Sequence, residues 1–162
     1  MRGDGVVDIN FNVNDFRVKS VDLNNISNVN KWLHQNKFEV NDLWSSFISY
    51  YITDGEIFLA IERLDGSIVG ILRGTIEDEK KIFITCYILE ENCSNDNIKH
   101  DIFECLIDYI NESGISEIFI GISDDDFISR QFWKDKGFTQ LRRIKSYFSF
   151  ENTSRDLLIL TK

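Results

Sequence analysis

The residues that could carry chemistry in this chain are few, and most of them argue against the commoner kinds of site. His34 and His100 lie far apart in sequence, so a histidine-based triad or metal cluster has little to build on, and both read as solvent-facing helix residues. Cys86, Cys93 and Cys105 are odd in number and lack C-x-x-C spacing. They suggest neither a disulfide framework nor a zinc site and read as buried or half-buried thiols; no metal is expected. The charged residues say more. Between positions 130 and 145 six basic residues (Arg130, Lys134, Lys136, Arg142, Arg143, Lys145) face Asp135 alone, inside a chain whose formal charge is −9. That run reads either as ordinary solvation of a helix end and a strand face or as a site for a small anionic ligand. The overall acidity excludes a general nucleic-acid surface, because counterion-driven binding needs clustered Lys and Arg.

Those residues must be positioned by elements that hydrophobic periodicity locates. Val7, Ile9, Phe11 and Val13 alternate with polar residues as a strand with one buried face. Asn14-Asp15 offers a turn, and Phe16 to Val21 alternates again, either as a hairpin partner or as the first core strand after an N-terminal extension over residues 1–15. Asp22 is placed to cap a helix bearing Leu23, Ile26, Val29, Trp32 and Leu33, and Asn41 to cap a second with Leu43, Trp44, Phe47, Ile48 and Tyr51. A three-stranded meander follows over Ile57–Leu64, Ser67–Ile76 and Ile82–Leu89, its first turn marked by Asp65-Gly66. The period then becomes helical from Ile98 to Ile110, with Gly114 as the stop. Ile115–Ile122 is a β-branched run suited to a strand covered on both faces. A short helix opens after Asp124-Asp125-Asp126, with Phe127, Ile128, Phe132 and Trp133 as its apolar stripe and Gly137 as its end. Phe138–Phe150 and Leu157–Leu160 are the last strands, separated by the polar turn Glu151 to Ser154. No run approaches the roughly 20 apolar residues of a membrane span, and Met1 to Asp8 lacks a signal pattern, so a cytoplasmic protein without membrane partners is expected.

The element order, together with Phe132-Trp133-Lys134-Asp135-Lys136-Gly137-Phe138, resembles the GNAT N-acetyltransferase superfamily over roughly Phe16 to Leu160. The segment looks like that family's F-Y-x-x-x-G-F. The resemblance implies one α/β (α+β) domain over residues 1–162, with a mixed, mostly antiparallel central sheet flanked by about four helices. It also implies an acyl-CoA site, with acetyl-CoA as cofactor and an amine acceptor as partner. On the matching positions, the main chain at Leu89 would pair with pantetheine. The stretch Ser94-Asn95-Asp96-Asn97-Ile98-Lys99 would stand where the family's Q/R-x-x-G-x-G/A loop cradles the pyrophosphate, and Asp126, Arg130, Trp133 and Lys134 would flank the cofactor from the short helix.

The sequence departs from that pattern in three places: the loop, Trp133, and Asp126, which stands where members frequently carry Asn at the start of the short helix. Asn97 and Lys99 fill the glycine positions, and Ser94 stands for the leading Gln or Arg. From Glu90 to Asp101 four acids (Glu90, Glu91, Asp96, Asp101) face Lys99 alone, which opposes phosphate binding, although Asp96 also reads as a plain helix cap. Trp133 replaces the tyrosine that members commonly use to reprotonate the CoA thiolate, and indole has no proton acidic enough for that task. No catalytic residue is therefore assigned. Tyr87 and Glu90 are the strand residues able to take a proton from an amine, against the plainer readings of a packed aromatic and a solvated carboxylate. The acceptor would lie against the early helices and the last hairpin, among Trp44, Tyr50, Tyr51, Arg143 and Tyr147. Two functions follow from the resemblance: an N-acyltransferase, or a GNAT-fold binding or regulatory module without catalysis. The long final hairpin also offers an edge for a homodimer.

Overall fold

The alternating segments join into one eight-stranded sheet in the computed structural model, which describes residues 8–36, 55–78, 80–93, 96–112, 114–150 and 152–162. The strands are β1 (Asn10–Val13), β2 (Phe16–Ser20), β3 (Glu56–Arg63), β4 (Ile68–Glu77), β5 (Lys81–Leu89), β6 (Glu117–Ser123), β7 (Thr139–Phe150) and β8 (Thr153–Thr161). Their order across the sheet is β1-β2-β3-β4-β5-β6-β8-β7. Every neighbouring pair is antiparallel except β5 and β6, which are parallel. A parallel pair needs a crossover, and here it is helix α2 (Asp96–Asn111). Helix α1 (Ile26–Gln35) precedes β3, and α3 (Phe127–Asp135) links β6 to β7.

Helices cover both faces of the sheet, so its central strands are apolar on both sides. In β3 every residue from Glu56 to Glu62 is buried. Ile57, Leu59 and Ile61 join the larger core with Ile102, Phe103, Leu106 and Ile110 of α2 and Phe132 and Trp133 of α3. Phe58 and Ala60 point the other way, into a second core with Val29, Trp32 and Leu33 of α1. Each fully buried aliphatic side chain is worth about 1.5–3 kcal/mol relative to an exposed one, so the two cores lock the strand register.

Several expectations change at their edges. Asp22 does not cap α1; its carboxylate accepts from the Asn24 and Asn25 N–H groups in the preceding turn, Asn25 occupies the cap position, and Leu23 is left exposed. The local Asx bond outcompetes one more helical turn. The apolar stripe of α3 is narrower than expected. Phe132 and Trp133 are buried, whereas Phe127 and Ile128 are 70% and 83% exposed. The polar turn before β8 is shorter than expected, since that strand already begins at Thr153. His100 is half-buried rather than solvent-facing, 3.9 Å from Glu104 one turn on. The helix expected after Asn41 lies outside the described residues, which contain three helices.

Candidate active site at the β5–β6 opening

The site begins with a pairing that stops early. The β5–β6 ladder runs only from Lys81↔Glu117 to Ile84↔Ile120, although β5 continues to Leu89 and β6 to Ser123. The register of β4 against β5 passes from Arg73↔Cys86 to Gly74↔Ile84, which leaves Thr85 as an extra, bulged residue at the point where the strands part. A bulge bends and twists its strand, which turns the end of β5 away from β6. Gly74 permits it, since a Cβ there would collide with the Phe83 carbonyl oxygen.

Beyond the bulge, the Glu90 N–H donates to Val69 O at 2.8 Å. Antiparallel ladders alternate with a period of two, so the main-chain groups of Ile88 and Cys86 also face β4, and those of Tyr87 and Leu89 face the opening. A cleft of about 620 Å³ occupies the space, walled by β4 (Ile71, Arg73, Thr75), β5 (Phe83 to Ile88), β6 (Ile120 to Ser123), α3 (Asp126, Ser129, Trp133) and β7 (Tyr147, Phe148).

Helix α3 closes one side. Asp126 caps it by accepting the Ser129 N–H at 3.1 Å, Gly137 ends it at φ +91°, and Phe138 re-enters the core. Trp133 is 2% exposed and meets Phe103, Phe132 and Phe138 edge to face, with centroids 4.8, 4.9 and 5.3 Å away. Tyr87 lies 6.3 Å from the same indole, and its hydroxyl donates to Lys99 O of α2 at 2.6 Å. Burial, with Asp101 adding to it, pushes this phenol well above its usual range, so Tyr87 is a packed, neutral group and no base. The Lys99 ammonium sits 5.2 Å from the Tyr87 ring and 4.7 Å from that of Phe132, bridging α2 and α3 beside the opening.

Other polar groups are more tightly held than their sequence context suggested. Glu90 is half-buried, and its carboxylate accepts the Trp32 indole N–H at 2.6 Å. On the cleft wall, Arg73 forms a buried ion pair with Glu56 through Nε, at 2.8 Å, and Nη2. The Cys86 thiol also lines the cleft, but desolvation pushes it up to about 12 against the pull of Arg73 and Lys99, so it stays protonated and is no nucleophile near neutral pH.

The positions expected to bind the cofactor separate accordingly. Asp126 and Trp133 line the cleft, Leu89 turns its main chain to the opening, and Lys99 reaches its edge. Arg130 is half-buried and Lys134 exposed on α3, and neither lines the cleft. Asn97 and Ile98 border a separate polar pocket with Asn14, Asp15, Arg63 and Asp101. Ser94 and Asn95, like Trp44, Tyr50 and Tyr51, lie outside the described residues. Sequence reasoning missed the Glu56–Arg73 pair, Thr85, Ser129 and Asp156. A lone Arg in the apolar run Ile71-Leu72-Arg73-Gly74 was a usable signal for the first, because a buried charge requires a partner. Among the described residues no group of three His, Cys, Asp or Glu could hold a metal, and no helix is long and apolar enough to cross a membrane.

Residues 17–159 match the family model of the acetyltransferase (GNAT) domain. No curated protein sequence matches the chain. Among solved structures it is similar to an N-acetyltransferase from Staphylococcus aureus Mu50, at 15% identity and a TM-score of 0.74 over 90% of this chain and 96% of that one. It is similar also to the ribosomal-protein-S18-alanine N-acetyltransferase from Escherichia coli, at 10% identity and 0.71 over 90% and 92%. A third is the spermidine/spermine N-acetyltransferase SpeG from Vibrio cholerae, at 8% identity and 0.69 over 92% of each. At these identities the likeness is one of fold.

Proposed function

The chain belongs to the GNAT acetyltransferase family, and from that premise we propose that it is an N-acyltransferase moving an acetyl group from acetyl-CoA to an amine of a small molecule or protein. The observation that carries this reading is the opening where β5 leaves β6, with the main-chain groups of Tyr87 and Leu89 turned into it. Those groups suit the amides of a pantetheine arm, and a main-chain ladder tolerates any side chain. The start of α2 suits the phosphates less well, because no glycine stands at positions 97 and 99. Charge pairing then falls to Lys99, with Arg130 and Lys134 on α3 and Lys136 at its end as further cations of that region.

In the transfer, the amine nitrogen bonds to the thioester carbonyl carbon, the carbon–sulfur bond breaks, the nitrogen releases a proton and the thiolate takes one up. Trp133 cannot supply that proton, and the raised Tyr87 and Cys86 pKa values remove both as bases. The proton is assigned to water in the open cleft, and the protein contributes by holding donor and acceptor together. Titration calorimetry with acetyl-CoA and CoA at low salt tests this. Saturable binding weakened by Arg130→Ala supports it, and flat heats at millimolar CoA sink it. A second reading, a binding module without catalysis, is favoured by one observation, the buried Trp133 where the family commonly places a phenol. It expects those flat heats. A cytoplasmic location and a homodimer through the β7 edge complete the proposal; fractionation of cells and sedimentation of the purified chain test them.

A further inference from the structure

The opposite end of the cleft is closed by a feature that regular strand geometry would not produce. Between Ile144↔Leu157 and Phe148↔Arg155 the β7–β8 register slips, and Lys145, Ser146 and Tyr147 bulge out of the ladder with Ser146 at φ +52°. A positive φ at a non-glycine residue persists only where its surroundings hold it. Asp156 does so: one carboxylate oxygen accepts the Ser146 N–H at 2.9 Å and the other accepts Arg143 Nη1 at 3.0 Å. Asp156 is fixed in turn by its own N–H donating to Asp124 Oδ1 at 3.2 Å and by the Asp124 N–H donating to its carbonyl at 3.0 Å. The bulge is thereby tied to the end of β6, where the opening lies.

Its product is an aromatic corner. Tyr147 and Phe148 meet edge to face at 5.0 Å and 82°, both line the cleft, and both remain substantially exposed, at 59% and 41%. The charged side chains on the cleft wall are Glu56, Arg73 and Asp126, with Lys99 at the α2 edge; Glu56 pairs with Arg73, and Lys99 is held against the Tyr87 and Phe132 rings, away from the corner. Exposed ring faces attract a cation with an apolar body.

We infer that the Tyr147–Phe148 corner is the acceptor-binding element and that it selects an ammonium carried on an aromatic or other apolar body, with Asp156 as its positioning residue. The assignment as acceptor rests on the acyltransferase reading; the affinity for such a cation does not. The test is calorimetric binding of phenethylammonium to the full chain without acyl donor, beside 2-phenylethanol, which keeps the ring and lacks the charge. The amine is expected to bind about tenfold more tightly than the alcohol, and Tyr147→Ala and Asp156→Ala each to weaken it about tenfold. Tyr147→Phe keeps the ring, and Asp156→Asn keeps an acceptor for the Ser146 N–H; both are expected to stay within about threefold of the parent. Acetyl-CoA affinity, measured in parallel, is expected to be indifferent to all four substitutions, which a general loss of structure would not allow. Equal affinity for amine and alcohol, or a folded Tyr147→Ala chain that binds the amine like the parent, overturns the inference. Acetyl-CoA binding without amine binding overturns it alone, whereas amine binding by a chain blind to acetyl-CoA sinks the acyltransferase reading and leaves the ammonium site standing.

Discussion

The two ends of the cleft are built by different means. At the β7 end, a bulge pinned by Asp156 sets two aromatic rings at the mouth through main-chain and carboxylate hydrogen bonds. At the α2 end, the boundary is packing: Tyr87, Trp133, Phe103 and Phe132 press together, and Lys99 lies across two of the rings. One end is arranged for contact with something outside the protein, whereas the other is consolidated as core with a cation at its edge. The contrast separates residues that the fold constrains from residues that only a ligand would constrain. Packing against the sheet constrains Phe132, Trp133 and Phe138 wherever the helix must dock, but glycines and a neutral loop are required only by a ligand.

Substitutions can break or sharpen that contrast. Trp133→Ala is expected to cost about 3–5 kcal/mol in urea unfolding, since it empties the centre of the aromatic cluster, while Tyr147→Ala stays within about 0.5 kcal/mol. Similar losses at both positions would mean that the β7 corner is core as well. Glu56→Gln should cost roughly 3 kcal/mol by leaving Arg73 without its buried carboxylate. The double change Glu56→Leu with Arg73→Met, which removes both charges, should recover most of it. Lys99→Ala should weaken CoA binding about three- to tenfold at low salt and progressively less as salt rises, because an ammonium at an exposed edge is screened. A salt-independent loss would assign Lys99 to packing. The smallest effect near neutral pH is at Cys86. Its folded-state pKa is raised from 9.0 to about 12 by burial, so the stability it contributes is complete below about pH 9 and declines between there and pH 12, as the unfolded chain alone releases the proton. Cys86→Ala should flatten that alkaline decline, and alkylation of native Cys86 should be slow at pH 8.

The β-hairpins, the crossover and both flanking helices were legible because each repeats apolar residues at a period of two or near 3.6 over several turns. The continuous run Ile115 to Ile122 suggested burial on both faces, which the strand shows from Ile120 to Ile122. Element ends were less legible: a single Asx bond at Asp22 shifts the start of α1, and helical spacing alone does not separate the exposed Phe127 and Ile128 from the buried Phe132 and Trp133. In the site, the F-W-x-x-x-G-F segment announced the α3 wall. The opening itself did not show in the sequence, because it depends on a one-residue register slip at Thr85, and neither did the Asp156 network, whose partners are 10 to 32 residues away.

The most direct test of the central claim, that the β5–β6 opening receives the acyl donor, is amide NMR of the labelled chain during titration with acetyl-CoA. Saturating shifts largest at Tyr87 and Leu89, with Ile88 little affected, are the expected result. Saturable binding that shifts instead the residues around Arg63, Asn92 and Asn97, or no shifts at millimolar acetyl-CoA, would contradict it.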